Sequence, residues 1–200
     1  AFRAPIRRRL DSMREALLAA DLLLAPSHFL LERFVEQGIP RERLEFWEYG
    51  MDDGPFRARP PRPDRDPLAR PVRFGFVGTL MPTKGPDLAV RAFQDLPVGA
   101  ATLEFFGAGN GPSHASYVAS LHALNRHPGL GFRGRFDNRR IAEVLAGLDV
   151  LIVPSRWYEN APLTIHEAVM TRMPVITSGH GGMAELAERS QEIGDIVRVI

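Results

Sequence analysis

From Val72 onward the sequence alternates between short apolar runs and helical segments, and few folds accommodate such a pattern. Strands read at 72–77, 101–106, 130–133, 150–153 and 174–177, chosen for their β-branched and aromatic content. Helices read between and after them, at 86–94, 112–125, 138–148, 162–172 and 182–189, and 198–200 begins another strand or ends the chain. Strict alternation of this kind specifies a parallel sheet wound on both faces by helices. Ligands of such sheets bind outside the carboxyl ends of the strands. The loops after the strands are therefore where function should be sought.

The first fifty residues read differently. Ile6, Leu10, Met13 and Leu17 mark an amphipathic helix with Arg7, Arg8 and Arg9 on its polar side. A helix packed on a neighbouring domain is the first reading, and peripheral contact with a membrane surface is the other. A strand ends at Ala25-Pro26-Ser27, a helix over 29–37 is closed by Gly38, and 44–52 is a strand candidate. Between Asp53 and Pro71 stand Pro55, Pro60, Pro61, Pro63, Pro67 and Pro71 among arginines and aspartates, the composition of a linker. The expected organisation is 1–50, a linker over 51–71, and one domain over 72–200.

Composition narrows the function classes. The net charge of +1 gives no argument for nucleic acid as a partner. Zero cysteines exclude a disulfide framework and fit a reducing, cytoplasmic compartment. No apolar run reaches the roughly 20 residues that span a bilayer. The six histidines lie on separate elements, so no metal site is expected. Lys84 is the one lysine among 25 basic residues, which draws attention to a position where a compact ammonium was kept.

Three loops carry chemistry. Gly78-Thr79-Leu80-Met81-Pro82-Thr83-Lys84-Gly85 follows a strand and precedes a helix, and its amides with Lys84 can cradle a phosphate. Its spacing is not that of a P-loop. Gly107-Ala108-Gly109-Asn110-Gly111 is also a strand-to-helix loop, with glycines too close for the dinucleotide pattern. The third loop runs from Pro154-Ser155 through Glu159 to Pro162, and Glu167 stands eight positions after Glu159. Leu163, His166, Val169 and Met170 stand at the three- and four-residue spacings of the helix that follows. Its free amides favour an anion. Two carboxylates beside an anion site suit neutral hydroxyls, so a ligand with both phosphate and polyol fits. Taken on spacing alone, the glutamates read first as ordinary residues of a helix start, and as a binding pair second.

Pro154-Ser155, Glu159 with Glu167-Ala168, Pro174-Val175-Ile176, Gly181-Gly182 and Glu185 together resemble the signature of glycosyltransferase family 4. Members are retaining enzymes of the GT-B fold. The resemblance implies a Rossmann-like donor-binding half, with a small helical and strand remnant of the amino-terminal domain. The acceptor domain and a carboxy-terminal crossing helix are then expected to be mostly absent, in a cut or unusually short chain. It further implies transfer of a sugar from a UDP-, GDP- or ADP-sugar to a glycan or lipid-linked acceptor, without cofactor or metal, at the inner face of a membrane or free in the cytoplasm.

By resemblance, Glu159 holds hydroxyls of the donor sugar as the catalytic carboxylate, and Glu167 holds the ribose. The amides of Asn160, Ala161, Pro162 and Leu163 and the Lys84 ammonium neutralise the diphosphate. Gly78 and Thr79 stand in the diphosphate loop, where the family carries an arginine at the position of Thr79. Gly107 and Gly109 line the nucleotide cleft, and the backbone around Arg133 reads the base. His180 reads as a solvated loop residue with a sugar contact as its alternative. Two other readings stay open: a non-catalytic sugar-nucleotide-binding module, and a sugar-nucleotide epimerase of related fold.

Overall fold

The computed structural model describes residues 3–57, 71–192 and 197–199. They divide into two compact units, 1–50 and 51–200. The prolines at 60, 61, 63 and 67, read above as linker, lie outside the described residues.

The first unit contains α1 (Arg3–Leu18), β1 (Leu23–Ala25), α2 (His28–Glu36) and β2 (Leu44–Phe46). β1 and β2 pair in parallel, and Ala25, Leu31, Ile39 and Leu44 form a small buried cluster. Ser27 caps α2 by accepting from the Leu30 amide at 3.2 Å, which fixes the helix start at His28. β2 covers three residues rather than the nine read from the sequence. Ile6, Leu10 and Met13 on α1 are all more than half exposed.

The second unit contains α3 (Gly54–Arg57), β3 (Val72–Val77), α4 (Pro86–Phe93), β4 (Ala101–Phe106), α5 (Pro112–Leu124), β5 (Leu130–Gly134), α6 (Ile141–Ala146), β6 (Val150–Val153), α7 (Leu163–Met170), β7 (Val175–Thr177), α8 (Gly182–Glu192) and β8 (Val197–Val199). Phe56 of α3 packs against the core, so the stretch read as linker begins as part of the domain. The segment expected as one helix over 138–148 is instead a 3-10 turn, Asn138–Arg140, followed by α6. Asp137 accepts from the Arg139 amide at 3.0 Å and sets that turn.

All strands of the six-stranded sheet are parallel, in the order β5-β4-β3-β6-β7-β8. The chain starts in the middle, adds two strands on one side, then crosses to the other side for the remaining three. Right-handed crossovers put the helices of the two halves on opposite faces. The buried residues separate accordingly. Phe76, Val90, Phe93, Leu103, Phe105 and Leu121 form one cluster, and Leu145, Leu151, Ile165, Ala168, Val175 and Met183 belong to the other. Arg73 and Asp149 weld the amino ends of β3 and β6 through a fork of hydrogen bonds at 3.1 Å. At the opposite, carboxyl ends of these two strands lies the topological switch point, the place where doubly wound sheets take ligands.

Candidate functional site

Three loops meet at the switch point because their backbones approach closely. Gly107 has φ +143, and a Cβ there would lie 1.9 Å from the Gly78 carbonyl oxygen. Only glycine permits that crossing. The Gly182 amide donates to the Glu159 carbonyl at 2.7 Å, tying the start of α8 to the loop after β6.

The groove so formed has two connected parts. One, of about 260 Å³, is lined by Gly78, Thr79 and Lys84 from the first loop and Pro162, Leu163 and Thr164 at the start of α7. The other, of about 280 Å³, is lined among others by Gly107, Asn110, Arg135, Phe136 and Asn138. Val77, Gly78, Thr79 and Thr164 belong to both walls, so the groove is continuous along the strand ends.

The electrostatics centre on two pairs of groups. Lys84 Nζ lies 2.7 Å from Glu159 Oε1, so the lone lysine and the first glutamate face each other across the switch point. Ser155, 2% exposed, has its hydroxyl 2.9 Å from the same carboxylate oxygen and 3.0 Å from the Thr83 carbonyl, and its one proton serves either acceptor. Beside them, Arg156 holds the Asp87 carboxyl down to about 2, with help from the Tyr117 hydroxyl against the opposing effect of burial. Burial and the Asp87 carboxylate push the Tyr117 hydroxyl up to about 12.

Glu167 is the unusual group. It is 7% exposed, and burial pushes its carboxyl up to about 7. No hydrogen-bond or ion-pair partner stands opposite it among the described residues. Buried carboxylates are ordinarily paired, and this one stands about a turn inside the helix whose first residues line the groove.

Several sequence readings need correction. On α7 the buried residues are Ile165, Glu167 and Ala168, and Leu163 is 50% exposed and opens on the groove. Pro162 is the cap residue before α7, and having no N–H it can donate nothing to an anion. The free donors of the first turn belong to Leu163 and Thr164, since the Ile165 amide already donates to the Pro162 carbonyl. Ala161 is buried in the core, and Asn160 sits in the loop against Gly182. Gly109 turns its carbonyl to Arg135 at 3.1 Å.

Arg133 is not in the groove. It pairs with Glu104 and lines a separate depression with Arg73 and Thr102. The strand continues to Gly134, one residue past the reading of 130–133, so the carboxyl-edge loop starts with Arg135. His180 is not a solvated loop residue: its Nε2 is buried without a hydrogen-bond partner, and its ring packs 5.1 Å from Tyr158. Thr164, Phe136, Asn138 and the Arg156–Asp87 pair were not singled out from the sequence, whereas Arg135 closes the stretch 132–135 read there for the base. The helix-start position of Thr164 and the true end of β5 are the signals that point to the first three.

Among the described residues no cluster of three or more acidic or histidine side chains is placed to hold a metal. No described helix is long and apolar enough to cross a membrane.

Comparison with known proteins shows the fold and the family. The Anabaena protein Alr3699/HepE, solved in complex with UDP and glucose, superposes with a TM-score of 0.75 at 21% identity, over 88% of this chain and 49% of that one. A GDP-mannose-dependent alpha-mannosyltransferase of Mycobacterium tuberculosis is 32% identical over 171 residues, which is 84% of this chain and 41% of that protein. The amylovoran biosynthesis glycosyltransferase AmsK of Erwinia amylovora is 25% identical over 85% of this chain and 42% of its own length. The chain therefore spans about two fifths of the length of these curated relatives. The fold is that of the GT-B glycosyltransferases, in the half that forms a Rossmann-like sheet. The family model for glycosyl transferases group 1 matches residues 64–194, well over half of the sequence, and the chain belongs to that family.

Proposed function

We propose that the chain is the donor-binding half of a retaining, family 4 glycosyltransferase, and that its groove holds a nucleoside diphosphate sugar. The observation that carries the reading is Glu167, a buried carboxylate without a protein partner, one turn inside the helix that opens on the groove. A vicinal diol of ribose supplies the two donors such a group lacks. The diphosphate then lies against the Leu163 and Thr164 amides, with Lys84 as the counter-charge and Thr79 donating a neutral hydrogen bond where other members carry arginine. Glu159, across from Lys84, takes hydroxyls of the transferred sugar. The wall of Arg135 and Phe136 receives the base.

In the ligand-free protein Lys84 and Glu159 neutralise each other. A diphosphate competes for the ammonium, and the sugar hydroxyls compensate the carboxylate thus released. As the bond between the anomeric carbon and the diphosphate breaks, negative charge grows on the leaving oxygens, and the preset amides and Lys84 stabilise it increasingly. The acceptor hydroxyl then bonds through its oxygen to the anomeric carbon on the face the diphosphate left, and its proton passes to the departing diphosphate. These groups are positive without a metal, so none is required by the reading. The GDP-mannose in one relative's name and the UDP bound by Anabaena Alr3699/HepE put GDP and UDP first among donors, and a glycan or lipid-linked glycan is the acceptor this reading takes.

Calorimetric titration with UDP-, GDP- and ADP-sugars tests the proposal, with micromolar to millimolar binding of one base class expected. Absence of binding by all three contradicts it. Lys84→Ala is expected to weaken nucleoside diphosphate binding by about 1.5–3 kcal/mol, the range for hydrogen bonds to charged groups, while leaving nucleoside binding unchanged. Equal diphosphate affinity of variant and parent removes Lys84 from the site.

A further inference from the structure

The two loops that carry Lys84 and Glu159 are held together by residues that stay out of the groove. Arg156 is at the centre. Its Nη1 and Nη2 donate to the two carboxylate oxygens of Asp87 at 2.6 and 2.7 Å, the paired geometry that makes such contacts strong. Nη1 also donates to the Pro82 carbonyl at 3.1 Å. The backbone amides of Arg156 and Trp157 donate to the Thr83 carbonyl at 2.8 and 3.1 Å. The Tyr117 hydroxyl, reaching from α5, donates to Asp87 Oδ1 at 2.8 Å. Gly85 lets the loops close, because with φ +65 its Cβ would stand 2.0 Å from the Pro154 carbonyl oxygen. Lys84 is the last residue of the turn that these bonds grip, and Glu159 stands three positions past Arg156. Arg156, Asp87 and Tyr117 line neither part of the groove.

We propose that Arg156, anchored by Asp87 and Tyr117, is a positioning residue that fixes the Lys84 turn against the Glu159 loop and so presets both charges for the donor. The inference rests on the donor-binding reading above. Its physical content is preorganisation. A lysine side chain and a glycine-flanked turn lose conformational freedom when they grip a ligand, and a rigid fork that removes that freedom beforehand lowers the cost of binding. Lysine in place of Arg156 cannot bridge both Asp87 oxygens and the Pro82 carbonyl, because it offers a point charge rather than a planar fork.

The test is calorimetry on the full chain, with whichever of UDP, GDP or ADP the parent binds most tightly and with the matching nucleoside. Arg156→Ala is expected to lower diphosphate affinity about tenfold and to leave nucleoside affinity within about twofold. Arg156→Lys is expected to behave as the alanine variant, without rescue. In the Arg156→Ala background Lys84→Ala is expected to cost clearly less than it does in the parent, since a misplaced ammonium has less to lose. Asp87→Asn and Tyr117→Phe leave Arg156 in place and weaken only its anchor, so they give a graded version of the same pattern even if Arg156→Ala does not fold. Full additivity of Arg156→Ala and Lys84→Ala overturns the inference, as does an equal loss for nucleoside and diphosphate, which marks a general structural role. If the parent binds none of the three nucleotides, the donor-binding reading fails and takes this inference with it, a result distinct from additivity in a protein that does bind.

Discussion

Glu167→Met is expected to make the ligand-free protein more stable and its nucleotide binding weaker. The carboxyl is pushed up to about 7 from 4.5 by burial alone, so ionisation opposes folding. The sign follows from linkage. Between pH 4.5 and 7 the unfolded chain has released this proton and the native protein has kept it, so stability falls as pH rises through that window and stays low above it. Methionine keeps the length of the side chain and helix propensity while removing the charge. The variant should therefore gain about 2–3 kcal/mol at pH 8, a gain that shrinks below pH 7 and vanishes near pH 4.5. Urea denaturation at pH 5, 7 and 8 checks it. Binding should show the converse dependence in the parent. Donated hydroxyls favour the charged form, so nucleotide affinity rises between pH 6 and 8 and a proton is released on binding. A stability difference that is flat with pH contradicts this account of Glu167.

Gly107→Ala is expected to damage both fold and groove. The residue occupies φ +143, and its new Cβ would stand 1.9 Å from the Gly78 oxygen, a backbone atom with little room to move. The Gly78 amide donates to Phe106 at 3.0 Å, and the Gly107 amide donates to Gly134 at 2.8 Å. Displacing either strand end therefore strains both ladders. Overpacking costs about 1–3 kcal/mol and backbone strain adds about 1–3 more, so a loss of about 3 kcal/mol or greater is expected. Because Gly78 and Gly107 both line the groove, nucleotide affinity should fall even under conditions where the variant is fully folded. Normal stability with normal binding contradicts the close crossing of these loops.

The strand–helix alternation was legible because each buried parallel strand is a short apolar run, a signal that depends on neighbours in sequence alone. The place of Gly78, Lys84, Gly107 and Glu159 in loops at the carboxyl edge was legible for the same reason, since a glycine loop between strand and helix marks that edge. What escaped the sequence was set by register or by distance. One further residue at the end of β5 put Gly134 in the strand and Arg135 at the start of the edge loop. Leu163 opens on the groove while the charged Glu167 is buried, the reverse of ordinary amphipathic patterning, so helical spacing alone gives no sign of either. The Arg156–Asp87 fork joins residues 69 positions apart and leaves no local pattern at all.

The most direct test of the donor-binding account pairs Glu167 with the ribose. Parent and Glu167→Met are titrated with the nucleoside diphosphate that binds and with its 2′,3′-dideoxy analogue, closing a cycle of protein change against ligand change. The parent should prefer the ribose form by about 1–3 kcal/mol, because the analogue leaves a buried carboxylate without partners. The variant should bind the two ligands about equally. Retention of the parent's full preference by Glu167→Met contradicts the account, for the ribose would then be held elsewhere and Glu167 would be a residue of the helix alone.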